Sequence, residues 1–223
     1  MLDKNIRTIR IVGVLVMLTF LSACASNVVV VGNIPPPLIK RLPITASVTY
    51  SQEFKDFTYT ENERARSNNL KSLNFSDAQI VMFDQIFDGL FNMVAPGSAN
   101  SDLKISPQIL DFQYSAPSET QLELYEVWLK YRIKVVDSQD QELADWVVKG
   151  YGKTPAGGTF ASAAKAFNAA TNVALRDVGA QLSIGFEKQP SIQGLLAGGR
   201  RPESSVLSGQ ITEGSEPATG GSE

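Results

Sequence analysis

Few side chains in this sequence could perform catalysis. The 223 residues include one Cys and no His. Because His is the commonest general base and a frequent zinc ligand, its absence removes every Ser-His and Cys-His catalytic pair. The single Cys cannot close a disulfide within the chain. The composition therefore excludes much enzyme chemistry.

A glycine-rich stretch and two acidic groups are the remaining candidates for ligand chemistry. Residues 150–154, Gly-Tyr-Gly-Lys-Thr, resemble a phosphate-binding loop, but Val147 occupies the place of the first Gly that such a loop requires. The carboxylates within 137–142 lack the central Gly and the distal Glu of a calcium loop. Asp84 and Asp88 are four residues apart on a predicted helix, where a solvated face is the default interpretation. We predict no catalytic residue, no metal ligand, no cofactor and no enzymatic activity.

The N-terminus has the pattern of an export signal. Three basic residues precede the apolar run Ile11–Leu21, and the small residues Ser22 and Ala23 then precede Cys24. The run is shorter than the roughly 20 apolar residues that a helix needs to cross a bilayer. A permanent transmembrane span is therefore the weaker interpretation, and we predict a signal peptide over residues 1–23.

The sequence Leu21-Ser22-Ala23-Cys24 resembles the lipobox of bacterial lipoproteins. That resemblance implies cleavage before Cys24, a thioether-linked diacylglycerol on its sulfur and an acyl chain such as palmitate on the new amino group. Two or more acyl chains anchor a protein stably, whereas one chain binds a membrane marginally. In these families an Asp after the Cys tends to retain the product in the inner membrane. Here Ala25 follows, which implies the outer membrane, with the domain facing the periplasm.

The mature chain is mildly acidic. Cleavage removes three basic residues and Asp3, which leaves 17 basic and 22 acidic side chains. Nucleic-acid binding normally requires Lys and Arg clustered on one face. The expected partners are therefore a membrane, through the N-terminal lipid, and an envelope protein whose identity stays open, but not nucleic acid.

Composition divides the mature chain into three parts. Residues 24–43 contain Pro35–Pro37, which favour an extended, stiff segment, and we interpret this part as a lipid-anchored spacer. A proline-rich ligand for an aromatic groove is the alternative. Residues 44–197 have the regular patterns of a folded periplasmic domain. Residues 198–223 contain few apolar side chains, so we predict a disordered tail.

Within the domain, hydrophobic periodicity predicts four strands and two helices. Ser76 and Gln79 form a capping box that begins the first helix, which Pro96 stops. Thr159 caps the second helix, and the polar stretch 61–69 is predicted to be a long loop. The predicted strands are Ile44–Tyr50, Leu103–Tyr114, Leu122–Val136 and Leu143–Tyr151, and the helical periodicity extends to Val94 in the first helix and to Leu182 in the second.

The last two strands form a hairpin whose register follows from the apolar pattern. When Trp128 is paired with Tyr151 and Lys134 with Asp145, the apolar side chains of both strands share one face, whereas a slip of one residue would set apolar rows against polar ones. The inner face then carries Leu129, Tyr131, Ile133, Val135, Ala144, Trp146 and Val148.

The same register predicts an aromatic pair on the outer face. Trp128 and Tyr151 lie opposite each other there, together with Lys130, Arg132, Lys134 and Lys149. An exposed aromatic pair framed by basic residues is a contact for a protein partner, an anionic lipid or a glycan. The alternative is that a loop over residues 53–69 covers the pair and makes it minor core. We take Trp128, Tyr151, Lys130 and Arg132 as candidate partner-binding residues.

The order of elements predicts the fold class. The predicted order is one strand, a helix, three strands and a second helix. This order indicates an α+β fold of the β-α-β-β-β-α type, a two-layer sandwich with a mostly antiparallel sheet and both helices on one face. This order, the lipobox and an alanine-rich final helix resemble the YajG-like outer-membrane lipoproteins, and more loosely LptE and the auxiliary lipoproteins of envelope ABC transporters. The resemblance implies a non-enzymatic assembly, docking or transport-accessory module. A carrier that shelters a lipid or other amphiphile between sheet and helices is the alternative, with candidate lining residues Phe83, Phe87, Phe91 and Phe167.

Overall fold

A computed structural model describes residues 26–32, 34–61, 70–157 and 162–197. The strands in these ranges are β1 (Ser26–Val29), β2 (Thr45–Val48), β3 (Thr58–Thr60), β4 (Leu70–Asn74), β5 (Asn92–Met93), β6 (Leu103–Ser115), β7 (Leu124–Asp137) and β8 (Glu142–Pro155). The helices are α1 (Gln52–Lys55), α2 (Ser76–Leu90), α3 (Ala163–Gly185) and α4 (Pro190–Leu196), with short 3₁₀ turns at Pro117–Glu119 and Phe186–Lys188.

The main sheet has the order β5-β2-β6-β7-β8, and α2 and α3 pack on one of its faces. This arrangement confirms the predicted α+β two-layer sandwich. The sheet is mixed, however, because β2 pairs in parallel with β5 and β6, whereas β6, β7 and β8 form an antiparallel meander. The parallel pairing has a topological reason: parallel neighbours require a crossover, and α2 lies in the connection between β2 and β6.

The β7–β8 hairpin has the predicted register. Trp128 pairs with Tyr151 and Lys134 with Asp145. The inner side chains of β7, from Leu129 to Val135, are buried against the helices. Pro107 in β6 lies beyond Ile105, where the pairing with β2 ends, so its missing N–H leaves no gap in the ladder.

Two glycines let α3 lie close to β8. A Cβ atom at Gly150 would collide with the Ala174 carbonyl oxygen, and one at Gly152 with the carbonyl oxygen of Ala170. Both glycines belong to the stretch that resembles a phosphate-binding loop. Glycine is needed at both positions because the helix backbone comes so close to the strand. Residues 150–154 continue strand β8 instead of forming a loop.

A second, smaller sheet was not predicted. Its order is β1-β4-β3, with β1 parallel to β4 and β3 antiparallel to β4. These strands have only three to five residues each, too few for a clear alternation. The loop predicted for residues 61–69 falls almost entirely outside the described residues.

The segment predicted as a spacer is largely folded onto the domain. We call its described residues, 26–32 and 34–43, the N-terminal strap. Val28, Val30, Ile34 and Leu42 are buried in the core. The Val31 N–H donates to Asn168 Oδ1 at 3.0 Å. Burial of these apolar side chains and the hydrogen bond to α3 outweigh the preference of the prolines for a free extended chain.

At the far end of the strap, the chain is attached to the last turn of α2. The Leu42 N–H donates to the Leu90 carbonyl at 2.7 Å, and the Arg41 guanidinium donates to the Asp88 carbonyl at 2.7 Å. Residues 35–37 lie along the helix layer, and a Cβ atom at Gly89 would approach Pro37 Cγ to 2.7 Å. The strap therefore crosses the outer side of both long helices before it enters β2.

Both predicted helix starts differ from the structure. The N-cap of α2 is Phe75, without a side-chain hydrogen bond, and Ser76 is already helical. Ser162 caps α3 by accepting from the Lys165 N–H, whereas Thr159 lies outside the described residues. α2 ends at Leu90, before the predicted Val94, because the chain turns into β5 and pairs with β2.

Gln79 has a role that the capping box did not predict. Its side chain is completely buried. Its Nε2 donates to the Phe54 carbonyl at 2.8 Å, and its Oε1 accepts from the Tyr131 hydroxyl at 2.9 Å. Gln79 therefore satisfies two buried polar groups from other elements.

Candidate docking face of the sheet

Strands β7 and β8 place Trp128 and Tyr151 side by side on the face away from the helices. Their ring centroids are 5.4 Å apart with the planes at 36°. The Tyr151 N–H donates to Asp177 Oδ2 at 3.0 Å, so it points away from β7. The two residues therefore form a non-hydrogen-bonded pair, the type in which facing side chains lie closest.

The aromatic pair is exposed in the described structure. Trp128 is 37% exposed and Tyr151 36%. The alternative prediction was a loop over residues 53–69 that covers the pair. The first part of this segment packs elsewhere, because Phe54 is buried against Phe83 and Tyr131 on the helix side of the sheet. No residue of 53–61 makes the pair part of a core, and 62–69 lie outside the described residues.

Glu126 fixes the Tyr151 ring. It lies two residues before Trp128 on the same face, and its Oε1 accepts a short hydrogen bond from the Tyr151 hydroxyl. This hydrogen bond, with smaller contributions from burial and from the Glu126 charge, raises the pKa of Tyr151 to about 12. Tyr151 is therefore neutral at physiological pH and presents a fixed ring.

The basic residues divide into two groups. Arg132 forms an ion pair with Asp145 at 3.4 Å, and Lys134 forms one with Glu142 at 3.3 Å. Lys130 and Lys149 face each other across β7 and β8, and neither has an ion-pair partner among the described residues. Asp111 of β6 lies opposite Lys130 on its other side, so the row next to the aromatic pair carries two positive charges and one negative charge. Arg132 is less available than predicted.

A surface hollow of about 650 Å³ adjoins this row. Trp128, Tyr151, Lys130 and Lys149 line it from β7 and β8, with Asp111 and Gln113 from β6 and Asp177 and Gln181 from α3. The sequence could have indicated Glu126 and Gln113 through strand alternation. Asp177 carried no such signal, because it lies on a helix, 26 residues after the Tyr151 that it contacts at the sheet edge.

The other chemical candidates have structural partners. Asp84 accepts from the Tyr50 hydroxyl at 2.6 Å, and burial, with help from this hydrogen bond, raises the pKa of Tyr50. Asp140 pairs with Lys104 at 2.7 Å. Within the described ranges, no three His, Cys, Asp or Glu side chains come close enough to hold a metal ion. Cys24 lies outside these ranges, so its acylation stays a prediction.

None of the described helices combines the length and the apolar character needed to span a bilayer. No protein-family model and no curated protein sequence matches the chain.

Solved structures of bacterial proteins, including lipoproteins, are similar to the chain. A Xanthomonas campestris protein of the DUF330 family has 15% identity and a TM-score of 0.46, over 75% of this chain and 96% of its own. A minor lipoprotein from Acinetobacter baumannii has 7% identity and a TM-score of 0.39, over 71% and 95%. Uncharacterized lipoprotein B from Nitrosomonas europaea has 12% identity and a TM-score of 0.39, over 73% and 96%. The more specific resemblance to YajG-like or LptE-like proteins stays a prediction.

Proposed function

We propose that the chain is a lipid-anchored lipoprotein of the bacterial cell envelope, on the periplasmic side of the outer membrane. It works as a non-enzymatic assembly, docking or transport-accessory module. Its anchor is the acylated Cys24 of the lipobox. Its docking surface is the outer face of β7 and β8 around Trp128 and Tyr151, and the exposure of this aromatic pair is the observation that carries the proposal.

The rigidity of the pair favours binding. The strands hold both rings at fixed positions, and Glu126 fixes the Tyr151 hydroxyl. Binding therefore costs little side-chain entropy, which is a large part of the cost of association. Trp and Tyr are also the residue types that most often dominate the energy of protein interfaces.

The charge beside the pair indicates the chemistry of the partner. Lys130 and Lys149 lie directly opposite each other, and like charges in that arrangement destabilise a sheet. Asp111 of β6, opposite Lys130, offsets one of the two charges. A carboxylate of a partner placed between them would relieve this repulsion. The partner is therefore a protein whose contact surface combines an apolar patch for the two rings with acidic side chains.

The carrier function receives no comparable support. Phe83 and Phe87 are completely buried with their ring centroids 5.7 Å apart, and Phe91 contacts Phe186 at 4.9 Å. The aromatic residues that would line an amphiphile site are packed against other rings. Opening a space for an acyl chain would cost these contacts.

Photo-crosslinking in intact envelopes tests the docking function. A photoreactive amino acid at the exposed Gln113, which pairs with Trp128 across β6 and β7, should capture a specific protein. The same amino acid at Ile184, exposed on α3, is the matched control. Capture should disappear when Trp128 and Tyr151 are both changed to Ser.

Charge reversal provides the second arm of this experiment. Lys149→Glu should weaken the crosslink, whereas Lys165→Glu, on the exposed start of α3, should leave it unchanged. Equal crosslinking from both photoreactive positions, or a crosslink unaffected by the double Ser variant, would refute docking through this face.

A further inference from the structure

The outer face of the small sheet consists mainly of uncharged side chains, with the exposed Lys71 in the bulge of β4 at its edge. We call it the small-sheet face, and it consists of Asn27 and Val29 on β1, Ser72 and Asn74 on β4, and Thr58 and Thr60 on β3. Its polar groups bond to one another: the Ser72 hydroxyl donates to Asn27 Oδ1 at 3.0 Å, and Asn74 Nδ2 donates to Thr58 Oγ1 at 2.9 Å. No side chain of this set bears a charge.

Two valines, Val29 in this face and Val31 just beyond β1, point into solvent. Along the strap, Val28 and Val30 are buried, whereas Val29 is 68% and Val31 71% exposed. The main chain of Val31 is held to α3 by hydrogen bonds with Asn168 and Asn172. The next residue of α3, Val173, is also exposed at 41%. The folded structure thus holds three apolar side chains in water at β1, just beyond it and on the adjacent part of α3.

The predicted anchor lies a very short distance from these valines. Only Ala25 separates Cys24 from Ser26, where β1 begins. An extended chain spans at most about 3.6 Å per residue, so the Cα of Cys24 is within roughly 18 Å of the Cα of Val29. Acyl chains on Cys24 would lie in the hydrocarbon region, and such a tether cannot hold β1 far from the bilayer.

We propose that the small-sheet face, with Val29 and Val31, rests on the lipid bilayer; this inference rests on the lipid anchoring proposed above. The valines enter the boundary between headgroups and acyl chains, where apolar side chains of peripheral proteins are buried. The amides and hydroxyls of the face bond to headgroups, and the Lys71 ammonium stays in the headgroup layer at the end of its long side chain. The domain is therefore held against the membrane in one orientation.

Fluorescence quenching in vesicles tests this orientation. The full-length lipidated protein, with Val29 or Val31 changed to Cys and labelled with a polarity-sensitive fluorophore, is reconstituted in phosphatidylethanolamine and phosphatidylglycerol vesicles. Because Cys24 is blocked by acylation, only the new thiol reacts. Quenchers carried on lipid acyl chains should quench these labels at least about threefold more than labels at two control positions, because only the former are buried in the interface.

The controls are Leu38→Cys, at a fully exposed position farther along the strap, and Val147→Cys, on the outer face of β8. Equal quenching at all four positions overturns the proposal. Energy transfer between labelled copies at Val31 without lipid quenching also overturns it, because the face would then join two copies of this chain.

Mass spectrometry of the N-terminal peptide separates this inference from the proposed function. Acylated Cys24 with unquenched labels refutes the bilayer contact and leaves the lipid anchor intact. An unmodified Cys24 refutes both.

Discussion

Trp128 and Trp146 lie in adjacent strands but serve opposite faces of the sheet. Trp146 is half-buried, with its ring edge-on to Phe186 at 5.0 Å, whereas Trp128 contacts Tyr151 on the outer face. We expect Trp146→Ala to lower the free energy of unfolding by about 3 kcal/mol, because it leaves a cavity under the helices. Trp128→Ala should cost less than about 1 kcal/mol, as is usual for exposed positions.

Urea denaturation of the two variants measures both values. A domain of this kind has about 5–15 kcal/mol of stability in total, so the difference is easily resolved. Equal losses for the two substitutions would contradict the assignment of the tryptophans to different faces.

The hydrogen bond between Tyr151 and Glu126 predicts a pH dependence. Only the neutral phenol can donate to the carboxylate, so folding favours the protonated form and the pKa of Tyr151 rises to about 12. An unfolded Tyr ionises near pH 10. The stability that this bond contributes is therefore complete below about pH 10 and is lost as the pH rises towards 12.

Glu126→Gln should lower the pKa of Tyr151 towards its ordinary value, because the amide removes the negative charge. Ultraviolet difference titration follows the ionisation, and Tyr151→Phe identifies which part of the signal belongs to this residue. An unchanged titration in Glu126→Gln would show that the carboxylate does not hold the phenol.

Gln79 illustrates which residue roles the sequence could not reveal. Its spacing from Ser76 fits a capping box, which is a local pattern. Its real partners, Phe54 and Tyr131, are 25 and 52 residues away. A buried amide that bridges two distant elements has no signature in its own neighbourhood.

Among the elements, the contact between β8 and α3 depends on two glycines. Ala at Gly150 or Gly152 would place a methyl group into the helix backbone at Ala174 or Ala170. The helix backbone cannot move aside as the end of a flexible side chain can. We therefore expect each variant to lose several kcal/mol of its free energy of unfolding and to melt at a much lower temperature.

Gly185→Ala is the matched control. A Cβ atom there meets nothing within 4 Å, and Ala is the better helix former by roughly 1 kcal/mol. Thermal denaturation should show an unchanged or slightly higher midpoint. If the strand variants also melted normally, α3 would have to lie farther from β8 than the structure places it.

The same comparison of elements explains what was predictable. The β7–β8 hairpin has 14 residues in each strand, and its long alternation permits only one register. The small sheet joins β1 to β4, with Asn27 facing Ser72 across 45 residues of chain. Short strands with distant partners leave no local period, so the sequence predicted a spacer and a loop in this region. At the candidate docking face, alternation predicted the aromatic pair, but the ion pair that neutralises Arg132 depends on side-chain conformation.

At the scale of the whole molecule, the proposed attachment to the membrane depends on one atom, the Cys24 sulfur. Cys24→Ala removes the only sulfur in the predicted lipobox, so we expect an uncleaved precursor without a lipid. Metabolic labelling with a fatty acid and the mobility of the product on a gel measure both effects.

Ala25→Ser is the control for this change, because it retains the thiol and should be lipidated and cleaved as before. Recovery of the Cys24→Ala protein as a normally cleaved, membrane-bound species would contradict the lipobox interpretation.

The N-terminal strap also imposes an order on folding. Val31 bonds to Asn168 and Asn172, which follow it by 137 and 141 residues. Such contacts close very long loops and form late. The strap can pair with β4 and α2 earlier, but its contacts with α3 cannot form until α3 has been synthesised. The first segment of the domain to leave the ribosome is therefore among the last to complete its contacts. Until then Val28 and Val30 lack their cover, and a chain shortened before α3 would keep these side chains exposed to water.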